Sequence, residues 1–288
     1  MSVDVDPVDV HLAGYGRQAA PDPLVWERAL PRLREALDRA GLRATFFVVA
    51  RDLPARRQAV RELARAGHEV ASHSIHHPAG FAELAPRALR EELEGSRARL
   101  EDAVGAPVRG FRAPGFALTR RVAAAVREAG YVYDASLHPS PFALAAQLWL
   151  ALSRRRLRPR PRAPLSLRRR PFRLATASGE LVEFPLAVTP GLRLPVYHTA
   201  RYALGEARFV AALERLARRR DPLSYVLHAV DLLGLVEDGV DARLAGHPGM
   251  RRSLEAKRAL LAESLAAIAA RFAPRPFAAR LGEVDGSA

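Results

Sequence analysis

The sequence predicts an α/β fold in which parallel strands alternate with helices, as in a barrel or a doubly wound sheet. A pattern of strand, loop and helix repeats from residue 2 to about residue 134. The continuous apolar run at 44–49 is typical of a buried parallel strand. Gly41, Gly67 and Gly130 each follow a helical segment, where glycine commonly ends a helix. The 288 residues are sufficient for one large domain of this class.

The individual elements follow in chain order from apolar spacing and from helix-ending residues. In the regular part we expect strands at residues 2–6, 44–49, 68–72, 107–111 and 131–133, and helices at 24–40, 54–66, 86–104 and 119–129. Residues 7–23 are expected to form a loop. After residue 134 we expect strands at 181–185, 223–227 and 277–281, and helices at 207–218 and 250–272. The chain, 1–288, is predicted to be a single domain with an apolar and basic insertion at about 141–175.

The positive charge of the chain is concentrated in that insertion. The formal net charge is +14, and ten arginines lie between residues 154 and 173 with no acidic residue among them. Without those ten the net charge would be +4, an ordinary value, so no nucleic-acid partner is expected. The chain has no cysteine. Any metal must therefore be bound by histidine or carboxylate side chains.

Three of the nine histidines lie at residues 73–77, directly after the predicted third strand. His73 and His77 are four residues apart, so one helical turn would direct both imidazoles the same way. Imidazole is the commonest protein ligand for transition metals. Enzymes of the α/β class place their sites at the carboxyl ends of strands. We therefore expect these two histidines to bind a catalytic metal, with Ser74 supporting the loop and His76 as a bystander.

Two other strand ends carry residues that could complete such a site. Asp4 and Asp6 share one face of the first strand, so one carboxylate can bind the metal while the other acts as a base. Arg112 follows the fourth strand, and Pro114 and Gly115 would fix a tight loop that directs its guanidinium back across the sheet end. A permanent positive charge there would orient Asp4 and keep it ionised.

A histidine ends one of the later strands. His228 follows the predicted strand 223–227 and is a candidate general acid, because a histidine can protonate a leaving group near neutral pH. Asp134 or Asp231 could keep its ring protonated. The alternative is a structural histidine whose ring is bonded to a backbone carbonyl.

These segments, in this order, resemble the motifs of the polysaccharide deacetylases, the NodB-homology enzymes of carbohydrate esterase family 4. The segments are Asp4-Val5-Asp6, His73-Ser74-Ile75-His76-His77-Pro78, Arg112-Ala113-Pro114-Gly115 and Leu227-His228. The second segment matches the family pattern H-[ST]-x-x-H-P in full. The resemblance spans about residues 2–228. It implies a distorted (β/α)7 barrel with one divalent metal at its carboxyl-end face, usually Zn²⁺, with Co²⁺, Ni²⁺ or Mn²⁺ as alternatives.

The resemblance also implies a role for each matched residue. The implied metal ligands are Asp6, His73 and His77. Asp4 would be the general base, Arg112 would orient and charge-stabilise Asp4, and His228 would be the general acid for the departing amine. The implied reaction is metal-dependent hydrolysis of the N-acetyl amide of an amino sugar, in a glycan or a lipid-linked saccharide, with release of acetate.

The sequence departs from the family pattern at two places. Its two aspartates are separated by one residue, as in some branches of the family, whereas adjacent aspartates are commoner. Tyr133 and Asp134 stand where the usual fourth motif carries a tryptophan. Together with Phe116 and Asp231 they are predicted to bind the substrate or to support the site.

The insertion suggests a second kind of partner. Apolar residues from 142 to 152 could form one helix face, followed by the clustered arginines. This composition is typical of a segment that lies on an anionic membrane, here residues 142–173. The alternative is that the apolar face packs on the barrel. No secretory signal and no run of about 18 apolar residues is visible. We therefore expect a cytoplasmic protein. If residues 142–173 contact the membrane, the protein would lie on its inner face.

Four other functions are alternatives to deacetylation, and one of them, a nucleic-acid binder, rests only on the arginine run. A deformylase, or another hydrolase of linear or cyclic amides, would use the same chemistry on a lipid-linked sugar. An inactive glycan-binding barrel is disfavoured because Asp4, Asp6, Arg112 and His228 are all present. Two histidines and a carboxylate also bind the iron of non-haem oxygenases, but their usual fold is antiparallel.

Overall fold

The computed structural model describes residues 1–141 and 164–284, and its centre is one eight-stranded sheet. The strands are β1 (Ser2–Val5), β2 (Thr45–Val48), β3 (Glu69–Ser72), β4 (Gly110–Phe111), β5 (Tyr133–Asp134), β6 (Phe172–Thr176), β7 (Gly179–Glu183) and β8 (Val226–His228). Their order across the sheet is β6-β7-β5-β4-β3-β2-β1-β8. All neighbours are parallel except β6 and β7, which form an antiparallel hairpin. Seven parallel strands therefore form a curled half-barrel, which confirms the predicted fold class.

Helices connect most of the parallel strands. They are α1 (Val8–Gly14), α2 (Leu30–Arg39), α3 (Leu53–Arg65), α4 (Pro86–Val104), α5 (Arg120–Glu128), α6 (His198–Leu204), α7 (Glu206–Arg218) and α8 (Leu254–Ala269). A π-helical turn, Val25–Ala29, leads into α2. Local signals explain several of the ends. Gly105 ends α4 in the left-handed conformation, and the Thr119 hydroxyl caps α5 by accepting a hydrogen bond from the Val122 amide at 3.1 Å.

The core has an outer and an inner part. Alternate residues of β1, such as Val3 and Val5, are fully buried in the large apolar cluster that also contains the helices. The concave side of the sheet holds a smaller cluster that includes Phe47, Tyr133 and Phe277. Because strand residues alternate between the two faces, Asp4 lies on the face opposite Val3 and Val5. The concave face of the sheet is thus apolar in its middle and polar at the carboxyl ends of the strands.

The predicted loop at 7–23 is wrong in its first half, because α1 begins at Val8. Pro7 has φ −58° and supplies a preset helical entry, and Val8 and Leu12 bury one helix face. The side chain of Asp9 forms an ion pair with Arg51 at 2.7 Å, which attaches the helix to the loop after β2. Loop-like composition concealed a helix of only two turns.

The expected last strand at 277–281 is also wrong, because the segment forms the 3-10 helix Ala278–Glu283. The side chain of Phe277 enters the concave cluster, and its amide donates to the Thr45 hydroxyl at 3.0 Å. The Ala278 amide donates to the carboxylate of Glu69 at 3.0 Å. Side chains of the sheet accept these bonds, so the segment does not add a strand. It covers the concave side of the sheet at the amino ends of β2 and β3, which is called the lower end of the curl below.

Besides α1, one strand and one α-helix of the described residues were not predicted. Strand β6, Phe172–Thr176, lies inside the predicted insertion, and α6, His198–Leu204, lies in a region without a clear apolar period. Of the insertion, residues 142–163 lie outside the described residues, and so does the predicted apolar face. Within the described ranges, no helix is both long and apolar enough to cross a membrane.

Gly110 in β4 offers a test of how tightly the concave cluster is packed. A Cβ atom at this position would lie 2.0 Å from Cζ of the buried Tyr133 ring, whose hydroxyl is bonded to Glu69 at 2.8 Å. Because that ring cannot move away freely, Gly110→Ala should lower the free energy of unfolding by about 2 kcal/mol or more. Chemical denaturation would measure this. The matched control is Gly246→Ala, where the added methyl group meets nothing within 4 Å. Equal stabilities of the two variants would contradict the packing described here.

Candidate active site

The polar residues selected from the sequence meet at the carboxyl end of the sheet. Asp4 lies in β1, and its register partner in β8 is His228. Asp6 follows β1, His73 follows β3 and Arg112 follows β4. Because these strands are parallel and adjacent, their carboxyl ends bring the side chains to one place. Residues up to 224 positions apart in the sequence thus share one site.

Three residues form a candidate metal site. The ligand atoms of Asp6, His73 and His77 all lie within 4.8 Å of one another. Nε2 of His73 is 3.4 Å from Oδ1 of Asp6, and the two imidazole rings are 4.7 Å apart at an angle of 70°. A second, overlapping group within the same limit consists of Asp4, Asp6 and His228. The carboxylate of Asp6 is common to both groups.

The tautomer of His73 follows from its hydrogen bond. Nδ1 lies 2.7 Å from the backbone carbonyl of Arg112. A carbonyl oxygen only accepts, so Nδ1 must carry the proton. Nε2, which faces Asp6, then presents its lone pair. A backbone carbonyl that fixes one ring nitrogen is the usual support for a metal-binding histidine.

The loop from 73 to 77 is not the helical turn expected from the spacing of its histidines. Ser74 has φ 66° and His77 has φ 53°, both in the left-handed region that residues other than glycine seldom adopt. The Ser74 hydroxyl accepts a hydrogen bond from the His77 amide at 3.0 Å, which is the supporting role predicted for it. The two imidazoles converge because of this tight turn.

Glu92 of α4 holds the same loop from behind and was missed from the sequence. Its carboxylate accepts hydrogen bonds from the Ile75 amide at 2.8 Å and the His76 amide at 3.0 Å. Nδ1 of His76 lies 2.6 Å from its other oxygen. His76 is therefore attached to Glu92, and it belongs to neither of the two candidate ligand groups. Within α4 the position of Glu92 looked like an ordinary exposed helix face, so no sequence signal marked it.

The two aspartates have opposite electrostatic environments. Burial raises the pKa of Asp4, but the adjacent guanidinium of Arg112, with His73 and His228, lowers it below the usual value. Burial raises the pKa of Asp6 well above the usual value, and the negative charge of Asp4 raises it further. Asp4 is thus the carboxylate that stays ionised without a metal, whereas Asp6 needs a cation to do so.

The donor set fits a divalent cation. Oδ1 of Asp6 is buried and has no hydrogen-bond partner among the described residues. Burial lowers the pKa of His73 to about 4 and that of His77 to about 3, so both rings are neutral at pH 7. Two neutral imidazoles and one carboxylate suit zinc and related metals, and they leave further coordination positions open.

Arg112 is fully buried and is fixed on several sides. Its guanidinium forms an ion pair with Asp4, and Nε donates to the carbonyl of Ala135 at 2.8 Å. The ring of Phe47 lies 4.0 Å from the guanidinium carbon. A buried arginine held by a carboxylate, a carbonyl and an aromatic face has little freedom to turn. Its position determines that of the Asp4 carboxylate.

Asp134 supports Arg112 indirectly, through the backbone at residues 135 and 136. Its carboxylate accepts hydrogen bonds from the amide and the hydroxyl of Ser136, and that hydroxyl accepts one from the Ala113 amide. This fixes the chain around Ala135, whose carbonyl holds Arg112. Both oxygens of Asp134 are occupied by Ser136, so the expected contact with His228 is not formed.

The remaining predicted support residues occupy different surroundings. Pro114 is buried, Gly115 has φ 61° and Phe116 has φ 57°, which together form the predicted tight loop. The Phe116 ring lies 5.6 Å from the guanidinium carbon of Arg112 and is half-buried. Tyr133, in contrast, points into the concave cluster and bonds to Glu69 at 2.8 Å. It supports the floor below the site and has no face toward a substrate.

His228 faces Asp4. Its Nε2 lies 3.7 Å from Oδ2 of Asp4, and 19% of its side chain is exposed, more than for any of the carboxylates beside it. Asp231 accepts a hydrogen bond from the His228 amide at 2.9 Å. The carboxylate of Asp231 therefore fixes the backbone at the end of β8. Nδ1 of His228 is buried and has no partner among the described residues.

Two further histidines stand behind His228 and were not selected from the sequence. The ring of His11, on α1, lies 5.9 Å from the ring of His228 and 5.1 Å from that of His247. Nδ1 of His247 lies 3.1 Å from the Tyr15 hydroxyl. Burial lowers the pKa of His11 well below its usual value and that of His247 to about 4, so both rings are neutral. His11 is only five residues from Asp6, but residues 7–23 were interpreted as a loop.

Comparisons with known proteins show a partial family match and a shared fold. Residues 21–133 match the family model "Polysaccharide deacetylase". A structure from Mycobacterium smegmatis assigned to polysaccharide deacetylases superposes with a TM-score of 0.59 and 19% identity, covering 100% of this chain and 91% of that one. One from Pseudomonas aeruginosa PAO1 with the same assignment gives 0.58 and 14%, covering 98% and 88%. The structure of Puue allantoinase gives 0.53 and 14%, covering 90% and 81%.

The family match lies within the half of the chain that contributes the two candidate ligand histidines and Arg112, and the shared fold extends over the rest. The resemblance inferred from the motifs is therefore confirmed: residues 21–133 match the polysaccharide deacetylase model, and the chain shares its fold with two structures of that assignment.

Proposed function

We propose that the protein is a metal-dependent deacetylase that hydrolyses the N-acetyl amide of an amino sugar, in a glycan or a lipid-linked saccharide, and releases acetate. The observation that supports it most is the contrast between two neighbouring carboxylates. Asp4 is kept ionised by Arg112, whereas Asp6 lacks a partner and stands beside two neutral imidazoles. One carboxylate suits a base and the other suits a metal ligand.

Asp6, His73 and His77 would hold the metal. When bound, a divalent cation, for which zinc is our first choice, supplies Lewis acidity toward the amide carbonyl and lowers the pKa of water. The three residues would occupy only three coordination positions, so positions would remain for the water molecule and for the carbonyl oxygen of the amide. Asp4 stays outside this set because its Oδ1 is already bound by Arg112.

Asp4 would take the proton from the attacking water. A general base must be ionised at the working pH and fixed in direction. The Arg112 ion pair provides both, because it lowers the pKa of Asp4 and holds one of its oxygens. The other oxygen, Oδ2, faces Nε2 of His228 at 3.7 Å, so base and acid border the same space.

His228 would protonate the departing amine from Nε2. An amine leaves an amide only after it gains a proton, so the reaction needs an acid on the substrate side of the site. The side chain of His228 is partly exposed, whereas Asp4 and Arg112 beside it are 1% and 0% exposed. It is therefore the group among these that a saccharide can reach first.

The acyl group and the sugar belong to the proposal and have a direct alternative. A deformylase, or another hydrolase of linear or cyclic amides, would use the same side chains. A protein named as an allantoinase shares the fold, so the fold is compatible with more than one amide. Release of acetate or formate from N-acylated glycans and lipid-linked sugars, measured on zinc-loaded protein, would separate the two. Release of formate alone would replace the deacetylase proposal.

A glycan-binding barrel without activity is the alternative from another class. It would need no ionised base and no acid. The residues proposed for both are present and directed into one space. The location in the cytoplasm stays a prediction, and so does membrane contact through residues 142–173.

The first prediction concerns the metal. His77→Ala removes one of three ligands, so zinc affinity should fall by more than about 100-fold, because even changes behind the ligands cost 10- to 100-fold. Competition with a chromogenic chelator would measure it. His76→Ala is the matched control, because the His76 side chain is 60% exposed and is bonded to Glu92. His77→Ala protein that keeps stoichiometric zinc would exclude His77 as a ligand.

The second prediction separates the two aspartates. Asp4→Asn should keep zinc and lose about 10²- to 10⁴-fold in turnover, the range expected for loss of a general base. Asp6→Asn should lose the zinc itself. Metal stoichiometry and acetate release, measured on the same preparations, would show the contrast. An Asp4→Asn variant with near-normal turnover would remove Asp4 from the role of base.

A further inference from the structure

A large cavity lies away from the candidate active site. It has a volume of about 780 Å³ and opens between the β6–β7 hairpin, the amino end of β8 and the carboxyl-terminal segment. None of the residues proposed for metal binding or catalysis lines it. Its size falls in the range of sites that bind one small molecule. The cavity is therefore independent of the proposed deacetylation.

The cavity has a strong positive charge. Among the described residues, seven arginines from three separate segments line it, at 168–170, at 220 and between 271 and 280, with only two carboxylates, Asp221 and Glu283. The first segment is the described end of the arginine-rich insertion. Arginines that are distant in sequence thus gather around one concave surface. Such a surface attracts anions, and an arginine binds phosphate through two parallel hydrogen bonds.

Most of these charges are not neutralised by the two carboxylates. Asp221 is shared by Arg169 at 2.7 Å and Arg170 at 3.1 Å. Glu283 is likewise shared by two arginines of the carboxyl-terminal segment. Arg168 and Arg220 have no carboxylate partner in the described part of the chain. These two guanidinium groups are the ones most available to an anion.

The floor of the cavity is apolar. Phe172, Phe184 and Phe277 line it and are 8%, 2% and 3% exposed. The rings of Phe184 and Phe277 stack on each other at 4.9 Å. An inorganic anion needs no such floor. Bases of a single-stranded nucleic acid need exposed rings to stack on, and these rings are recessed. Leu167 also lines the cavity and is 52% exposed, so a hydrocarbon chain would meet apolar surface there.

We propose that this cavity binds a single phosphate-bearing amphiphile, a phospholipid or a lipid-like phosphate. Its phosphate would lie between Arg168 and Arg220, and its hydrocarbon part would lie against the phenylalanine floor. The inference gives a specific task to the described end of the arginine run, which the proposed catalytic function does not use.

Isothermal titration of the full chain with dihexanoyl phosphatidic acid tests the proposal. Dihexanoyl phosphatidylcholine has the same chains with a zwitterionic head group, and inorganic phosphate has no chains. Both should bind at least about tenfold more weakly. The variant Arg168→Ala/Arg220→Ala should lose at least about tenfold in affinity for the phosphatidic acid and keep its zinc stoichiometry.

Arg87→Ala/Arg90→Ala is the matched control, because it removes the same charge from the exposed surface of α4. An equal loss of affinity in this control would mean that only the net charge of the protein matters, and it would overturn the proposal. Equal binding of inorganic phosphate, or of phosphatidylcholine, would overturn it too. Tighter binding of an oligothymidylate than of the phosphatidic acid would replace the amphiphile by a nucleic acid. None of these outcomes depends on whether the protein releases acetate.

Discussion

The buried ion pair between Arg112 and Asp4 is the interaction on which the candidate site depends. Both side chains are removed from water, so either one alone would be a buried charge, and removal of one partner from such a pair typically costs about 3–5 kcal/mol. The pair also has a chemical consequence. It keeps Asp4 ionised, and the negative charge of Asp4 in turn raises the pKa of Asp6. One arginine therefore makes two neighbouring carboxylates different.

Much of the structure around the pair serves to hold it. The carbonyl of Ala135 and the ring of Phe47 fix the guanidinium, and Asp134 fixes the turn that carries Ala135. The backbone carbonyl of Arg112 fixes the His73 ring, so the same residue also orients a candidate metal ligand. Its side chain and backbone thus connect the proposed base to the proposed metal site. A substitution at position 112 should disturb both.

Sequence patterns predicted the parts of this arrangement that depend on strand alternation. Asp4, Asp6, His73, Arg112 and His228 all lie at or just beyond the carboxyl ends of strands, and parallel strands bring such residues together. Contacts made from helices or across distant loops had no comparable signal. Glu92 looks like any helix glutamate, and His11 lies in a short helix that its composition concealed. Likewise, Phe277 has strand-like neighbours, but its ring closes the lower end of the curl, and only the three-dimensional packing shows this.

The central claim is that Asp6, His73 and His77 bind the metal while Asp4 remains free to act as a base. The two candidate ligand groups overlap at Asp6, so the position of the metal distinguishes them. Anomalous diffraction at the zinc edge, from crystals grown with zinc, measures that position directly. We expect one peak within bonding distance of Asp6, His73 and His77 and away from Asp4. A peak bound by Asp4 and His228 would contradict the account.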